Sequence, residues 1–238
     1  MSERWSLRYE LFGAWCAPIF TLFTVVGFFI LARFYDPAAA HLTPAALDSS
    51  FARHDVGVEV GLSLFCVATA FLGVYTVQLS ITLWRIERHP PLMSASQAVG
   101  GVGVVLLIFI SCCLWIGAAY RAGGTDPRIT VALNDAAWFG FLVGWVMLAL
   151  QMAATAAVTL HDRRSDSFVP RWVSWASIAG AVLLVTANGC VLTKTGPFAW
   201  DGVLGFYLPM VIWGTWLDGH AWCVRRDVRR RQVELSAA

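Results

Sequence analysis

Charged side chains are scarce in this sequence, and that shortage excludes an ordinary soluble domain. Only 13% of the 238 residues are charged, whereas 58% are hydrophobic. Soluble domains typically carry about 25% charged and about 45–50% apolar residues. The mean hydropathy of +0.65 agrees with a membrane protein. Because the net charge is only +2, the composition gives no reason to expect a nucleic-acid partner.

The sequence also lacks the short motifs that carry common chemistry. It contains no H-x-x-x-H or H-E-x-x-H spacing, no phosphate-binding glycine loop and no nucleophile elbow. No two predicted spans carry the pair of histidines that a cytochrome b-type electron carrier needs. We therefore expect no cofactor and no metal, and the sequence favours a non-enzymatic role over a catalytic one.

The six cysteines show no C-x-x-C or Cys/His spacing typical of metal or redox sites. Every one lies in an apolar run. These residues are Cys16, Cys66, Cys112, Cys113, Cys190 and Cys223. Since a buried cysteine behaves as a small hydrophobic residue, we interpret them as packing residues.

Long apolar runs are what the sequence has in abundance. A transmembrane helix needs about 20 predominantly apolar residues, and the sequence contains six such runs. It predicts an all-α polytopic membrane protein, a single integral domain built as a bundle of six transmembrane helices. The predicted spans are residues 11–33, 58–84, 98–120, 134–160, 171–193 and 201–224. The first run exceeds the roughly 7–15 residues of a signal-peptide core, so we expect it to be retained rather than cleaved.

Two polar segments accompany these spans. Residues 36–57 follow the first span on the outer side, and Thr43-Pro44 within them is typical of a helix N-cap with a first-turn proline. A short surface helix is therefore predicted there. Residues 225–238 form a basic tail.

Lysine and arginine are unequally divided between the two sides of the predicted bundle. The N-terminus, the second and fourth connections and the tail hold twelve: Arg4, Arg8, Arg85, Arg88, Arg163, Arg164, Arg171, Arg225, Arg226, Arg229, Arg230 and Arg231. The other side holds five: Arg33, Arg53, Arg121, Arg128 and Lys194. Because cytoplasmic loops are enriched in basic residues, both termini are predicted to be cytoplasmic.

Tryptophans agree with that orientation if they form belts at the two membrane interfaces. The inner group is Trp5, Trp84, Trp172 and Trp222, and the outer group is Trp115, Trp138 and Trp200.

Three stretches resemble an uncharacterised family of bacterial six-span inner-membrane proteins. They are Leu133-Asn134-Asp135-Ala136-Ala137-Trp138, Pro170-Arg171-Trp172, and Lys194 through Gly202, which reads KTGPFAWDG. The resemblance implies the same topology and a location in the bacterial inner membrane. It implies no activity, ligand or site residue.

A set of polar and aromatic residues falls at the outer ends of the predicted spans, where it could form a ligand pocket. The candidate ligand-binding residues are Glu59, Asn134, Asp135, Trp138, Lys194, Trp200 and Asp201. The carboxylates and Lys194 have an alternative interpretation, because such groups also stabilise helix ends. His54, Asp55 and Glu59 are weak candidates for metal ligands.

The inner half of the spans carries a second polar set, which we interpret as ion pairs and hydrogen bonds between helices. Its members are Glu10, Gln78, Gln151, Asp218 and His220. Glycines at 100, 101, 103, 140 and 144 predict close helix packing.

Three functions remain open from the sequence. The first is a membrane protein that binds or transports a small or lipophilic ligand through an outer-facing polar pocket. The second is an accessory subunit that packs against a membrane-protein partner or against copies of itself. The third is a membrane enzyme that acts on a lipophilic substrate. Besides the bilayer itself, anionic lipid headgroups are the expected partners of the Arg225–Arg231 tail.

Overall fold

The computed structural model describes residues 3–87, 90–164 and 166–237, and all regular secondary structure in these ranges is helical. Arg88 and the side chains of Arg4 and Trp5 lie outside this description. The α-helices are α1 (Glu3–Phe23), α2 (Pro44–Ala52), α3 (Asp55–Glu87), α4 (Leu92–Arg121), α5 (Pro127–Val143), α6 (Trp145–Leu160), α7 (Arg171–Val185) and α8 (Leu208–Ala237). Two π-helical segments, Thr24–Leu31 and Val203–Tyr207, and the 3₁₀ segment Thr186–Val191 extend them.

Among the described residues, five helices are long and apolar enough to cross a membrane, which confirms the all-helical prediction and agrees with a membrane protein. They are Ser6–Leu31, Asp55–Glu87, Leu92–Arg121, Pro127–Leu160 and Arg171–Val191. The sixth predicted span falls in α8 and the π-helical segment before it, which are not among the five. Polar Asp218 and His220 and several glycines make this helix less apolar.

The segment Val203–Ala237 nevertheless runs antiparallel to α1 along most of its length. Near the start of α1, Glu10 accepts hydrogen bonds from Arg231. Farther along, the rings of Phe20 and Trp213 lie 5.3 Å apart. Just beyond the π-helical segment that continues α1, the Tyr207 hydroxyl donates to the Tyr35 carbonyl at 3.0 Å. Both chain ends therefore lie at one end of the bundle, called the inner end here; the opposite end, which carries residues 36–57, is the outer end.

Helix boundaries differ from the predicted spans at two places, because side-chain contacts that hydropathy does not describe determine the boundaries there. The basic tail continues α8 instead of ending it, because Asp227 and Arg231 pair with each other one turn apart and Arg231 also pairs with Glu10. The predicted fourth span divides at Gly144 into α5 and α6. Gly144 is the point where Leu107 of α4 packs directly onto the backbone.

Aromatic rings fill the core of the outer half. The Phe28 ring contacts those of Phe34, Phe141 and Phe206, and the Trp115 and Trp138 rings meet edge to face at 5.0 Å. The expectation that Trp115, Trp138 and Trp200 belong to an interfacial belt is wrong, since all three are buried. The position of a residue along a helix does not determine whether its side chain faces the lipid or the protein core.

The inner end is held together by ion pairs. Arg85 of α3 donates two hydrogen bonds to the Glu10 carboxylate, at 2.6 and 2.7 Å, and Arg231 of α8 binds the same carboxylate. Glu10 therefore joins three helices. In the connection from α6 to α7, Asp162 binds Arg164, which also reaches Asp227 of α8 at 3.4 Å.

Candidate ligand cavity at the outer end

A cavity of about 270 Å³ lies at the outer end, between the segment that follows α1 and the helices beneath it. Its lining residues are Ala32, Arg33, Phe34, Tyr35, Asp36, Pro37, Ala38, Leu42, Ser50, Phe51, His54, Val58, Asn134 and Trp138. This volume is slightly below the roughly 300–1,000 Å³ of typical small-molecule sites. The cavity therefore suits a small ligand.

A sharp turn at the end of α1 forms one wall. The π-helical segment ends as the Ala32 amide donates to the Gly27 carbonyl at 2.9 Å. Arg33 follows with φ of 62°, the one non-glycine residue with positive φ in the described chain. Such a conformation costs about 1–3 kcal/mol and persists where the surroundings enforce it. It turns Phe34 inward, where its ring stacks on Phe28 at 4.5 Å, and leaves the Arg33 side chain exposed.

Helix α2 covers the cavity from the outside. Thr43 caps it by accepting a hydrogen bond from the Ala46 amide, and Pro44 occupies its first turn. The buried Asp48 carboxylate fastens α2 to the turn between α4 and α5, where it accepts from the Thr130 hydroxyl at 2.6 Å and the Gly123 amide at 3.0 Å. Ser50 and Phe51 of α2 thus form the roof of the cavity.

The cavity holds both hydrogen-bond donors and acceptors. Asn134 is 1% exposed. Its Oδ1 accepts from the Trp115 indole at 3.3 Å, and its side-chain amide has the Asp135 carboxyl as a neighbouring acceptor. At the entrance, the Arg33 Nη1 lies 3.3 Å from the His54 Nε2. Asp36 contributes one carboxylate to the lining.

Trp138, with Trp200 stacked behind it, forms the side of the cavity nearest the connection before α8. Their rings are parallel, 4° apart, with centroids separated by 5.9 Å. The Trp200 indole donates to the Ala38 carbonyl at 2.9 Å, which ties the connection before α8 to the segment lining the cavity. Trp200 is buried but supports Trp138 from behind and is not itself part of the lining.

The structure separates the seven residues that the sequence groups together. Asn134 and Trp138 line the cavity, and Trp200 stacks behind them. Glu59 lies instead beside a shallow groove on another face of α3, formed with Val60 and Leu64.

The other three predicted residues, Asp135, Lys194 and Asp201, lie outside the cavity lining. Asp135 lies close enough to Lys194 for their charges to interact, and Lys194 is exposed. The Asp201 Oδ1 is buried and makes no hydrogen bond. Within residues 3–87, 90–164 and 166–237, no group of three or more His, Cys, Asp or Glu side chains is placed to hold a metal ion.

Sequence reasoning does not assign Phe34, Tyr35 or Phe51 to the cavity, and it treats Arg33 only as a charged residue near a span end. One signal was available. The apolar residues of 34–51 are unusual in a segment that composition assigns to the outer surface, because exposed connections gain nothing from such side chains. Nothing in the sequence indicates the positive φ of Arg33.

The cavity combines hydrogen-bonding groups with aromatic surfaces. The cavity offers donors from Arg33 and Asn134 beside the apolar faces of Phe34 and Trp138. Beneath them, Phe28 and Trp115 are fully buried and closely packed. The cavity therefore has a closed aromatic floor.

The sequence matches no known protein-family model, and neither curated proteins nor solved structures show significant similarity to it.

Proposed function

We propose that this is a six-span inner-membrane protein that binds a small organic anion in its outer-end cavity. The observation that carries the proposal is a cavity that brings the Arg33 guanidinium and the buried Asn134 amide together beside aromatic walls. A ligand carboxylate would accept a charge-assisted hydrogen bond from Arg33, which contributes about 1.5–3 kcal/mol. A carboxylate with a flat apolar body fits both features.

The proposed topology places both termini in the cytoplasm of a bacterial cell, as expected of the six-span family that the sequence resembles. Two observations support a sixth span. The Val203–Ala237 segment lies alongside α1, and its Arg231 meets Glu10 at the inner end. A helix that packs along a spanning helix is expected to cross the same thickness.

Binding, rather than transport, is proposed because the floor of the cavity is closed. Phe28 and Trp115 separate the cavity from the inner half of the bundle. A transport cycle would require these rings to move apart.

The test compares two probes with the same ring and opposite charges: indole-3-acetate and tryptamine. Single-cysteine accessibility reports occupancy, with Ser50→Cys in the cavity roof and a membrane-impermeant maleimide as reagent. We expect indole-3-acetate to slow labelling of Ser50→Cys and tryptamine to leave it unchanged. The same reagent on Ser49→Cys, which lies on the exposed face of α2, should show no protection.

A matched pair of arginines tests the role of charge. Arg33→Gln should weaken protection by at least about tenfold, because a hydrogen bond to a charged group contributes about 1.5–3 kcal/mol. Arg53→Gln removes the same charge from the same segment but does not touch the cavity, and should have little effect. Equal protection by the two probes, or equal loss in the two variants, would contradict the proposal.

A further inference from the structure

The basic residues at the inner end of α8 are not equivalent, because carboxylates neutralise some of them and not others. Arg226 and Arg230 share Asp166, and Arg231 binds Glu10 and Asp227.

Arg225 and Arg229 form no ion pair with a carboxylate in the described part of the chain. Asp218 lies close enough for its charge to interact with that of Arg225, but the two are not in ion-pair contact. Arg229 is exposed. Because these two arginines are four residues apart on α8, they face the same side of the helix.

A shallow, open groove lies along this side of α8 and is lined by residues of that helix alone. Its lining residues are Trp222, Arg225, Arg226, Arg229, Arg230, Val233 and Glu234. Four guanidinium groups and one carboxylate therefore line it, and Asp166 offsets only part of the excess positive charge.

Two tryptophans place the groove at the depth of lipid headgroups. Trp222 is 56% exposed at the end of the groove nearest the membrane core. The Arg225 guanidinium lies 4.7 Å from the centroid of the Trp15 ring, also exposed. Exposed tryptophans concentrate at the membrane–water interface, and Val211 on the preceding turns of α8 is exposed and apolar. The groove thus begins where an apolar helix surface becomes basic.

Arg225 and Arg226 are also held in place by the protein. The Arg225 Nη1 donates to the Ala14 carbonyl at 3.3 Å, and the Arg226 Nη2 donates to the carbonyls of Ser167 and Phe168 at 3.0 and 3.2 Å. Such contacts reduce the conformational entropy that binding would cost.

We propose that this groove binds the phosphate of an anionic phospholipid, with Arg225 and Arg229 as the principal donors. Guanidinium groups suit phosphate because they present paired N–H donors. The acyl chains would follow α8 past Trp222 into the membrane. This inference does not depend on the outer cavity.

The test uses the full-length protein purified in a neutral detergent. Native mass spectrometry measures bound dioctanoyl phosphatidylglycerol, with dioctanoyl phosphatidylcholine and inorganic phosphate as separate probes. We expect the anionic lipid to bind most tightly. Tight binding of inorganic phosphate alone would show a free-anion site and overturn the lipid proposal, as would equal binding of the two lipids.

Two double variants separate a specific site from general attraction to basic protein. Arg225→Gln/Arg229→Gln should lower phosphatidylglycerol affinity by at least about tenfold, because charge-assisted hydrogen bonds to the phosphate are lost. Arg163→Gln/Arg171→Gln removes the same charge from exposed inner-end positions outside the groove, and should change affinity less than about threefold. Equal losses in the two variants would contradict the proposal.

Because Arg225 contacts α1, its replacement can disturb folding, and Arg229→Gln alone provides a second test. Arg229 is exposed and makes no ion pair with another described residue, so this variant should keep its melting temperature. A variant that folds normally and binds phosphatidylglycerol as tightly as wild type would overturn the assignment of Arg229.

Discussion

At the scale of single residues, the contact between Gly27 and Gly61 sets how closely the π-helical segment after α1 approaches α3. A Cβ at Gly61 would clash with the Gly27 carbonyl and lie 2.7 Å from the Ala32 amide nitrogen. We expect Gly61→Ala to lower the free energy of unfolding by about 1–3 kcal/mol, as overpacking does elsewhere. The melting temperature of the purified protein in detergent measures this.

Gly73 on the same helix is the matched control, since a Cβ there would meet no atom within 4 Å. Gly73→Ala should leave stability unchanged or raise it by up to about 1 kcal/mol, because alanine favours helix. If the two substitutions shift the melting temperature equally, the close approach at Gly61 is not what stabilises this pair of helices.

Asp162 gives stability a defined dependence on pH. Burial alone would raise the pKa of Asp162, but hydrogen bonds from Arg164 and the Phe168 amide outweigh it and hold the pKa below its usual value. A lowered folded-state pKa stabilises the protein above the unfolded-state pKa of about 3.9. That contribution is lost as pH falls through the folded-state pKa.

We therefore expect Asp162→Asn to melt below wild type at pH 6–7, and the difference to shrink as pH falls below about 4. Melting curves of both proteins across this range measure it. A difference that stays constant down to pH 3 would show that the charge of Asp162 contributes nothing.

The sequence predicts some residue-scale features well and others not at all. Glycines at 100, 101, 103 and 144 are close-packing positions as predicted, because each would carry a Cβ within 3 Å of a neighbouring backbone or side-chain atom. The fifth, Gly140, is slightly less crowded, with the Ser111 Oγ at 3.0 Å from such a Cβ. The roles of Gly27 and Gly61 were not predicted, since their importance depends on which helices become neighbours. Spacing along one helix does not contain that information.

At the scale of elements, Asp48 joins α2 to the bundle. Replacing it with alanine leaves the Thr130 hydroxyl and the Gly123 amide without their acceptor. We expect Asp48→Ala to lower stability by about 1–3 kcal/mol and to speed maleimide labelling of Ser50→Cys on the cavity side of α2. Labelling rates in membranes measure this effect directly.

Ser49→Ala is the control on the same helix. Its hydroxyl bonds only to the Ala46 carbonyl within α2, so the rate of labelling at position 50 should not change. Unchanged labelling in Asp48→Ala as well would show that α2 covers the cavity without help from this carboxylate.

Elements show the same division between predictable and unpredictable features. Thr43-Pro44 predicts α2 because capping is local chemistry. The docking of α2 depends on a contact between Asp48 and Thr130, which are more than 80 positions apart. The turn at Arg33 that begins the cavity wall depends on a positive φ that no local pattern indicates.

At the scale of the whole molecule, composition and long apolar runs are sufficient to predict a helical membrane protein. Composition and apolar runs predict α8 less well, because Asp218 and His220 lower its hydropathy. Its Trp213 and Trp216 are nevertheless buried against neighbouring helices. Its place beside α1 follows from packing and from the Arg231–Glu10 ion pair. The central proposal is therefore that α8 is a sixth span and that the C-terminus lies on the same side of the membrane as the N-terminus.

Single-cysteine labelling of intact spheroplasts with a membrane-impermeant maleimide tests that claim most directly. Ser49→Cys reports the outer end, Ser236→Cys reports the end of α8, and wild-type protein gives the background from the native cysteines. We predict that Ser49→Cys is labelled in intact spheroplasts and Ser236→Cys only after permeabilisation. Labelling of both in intact spheroplasts would contradict the six-span arrangement, and labelling of Ser236→Cys alone would reverse its orientation.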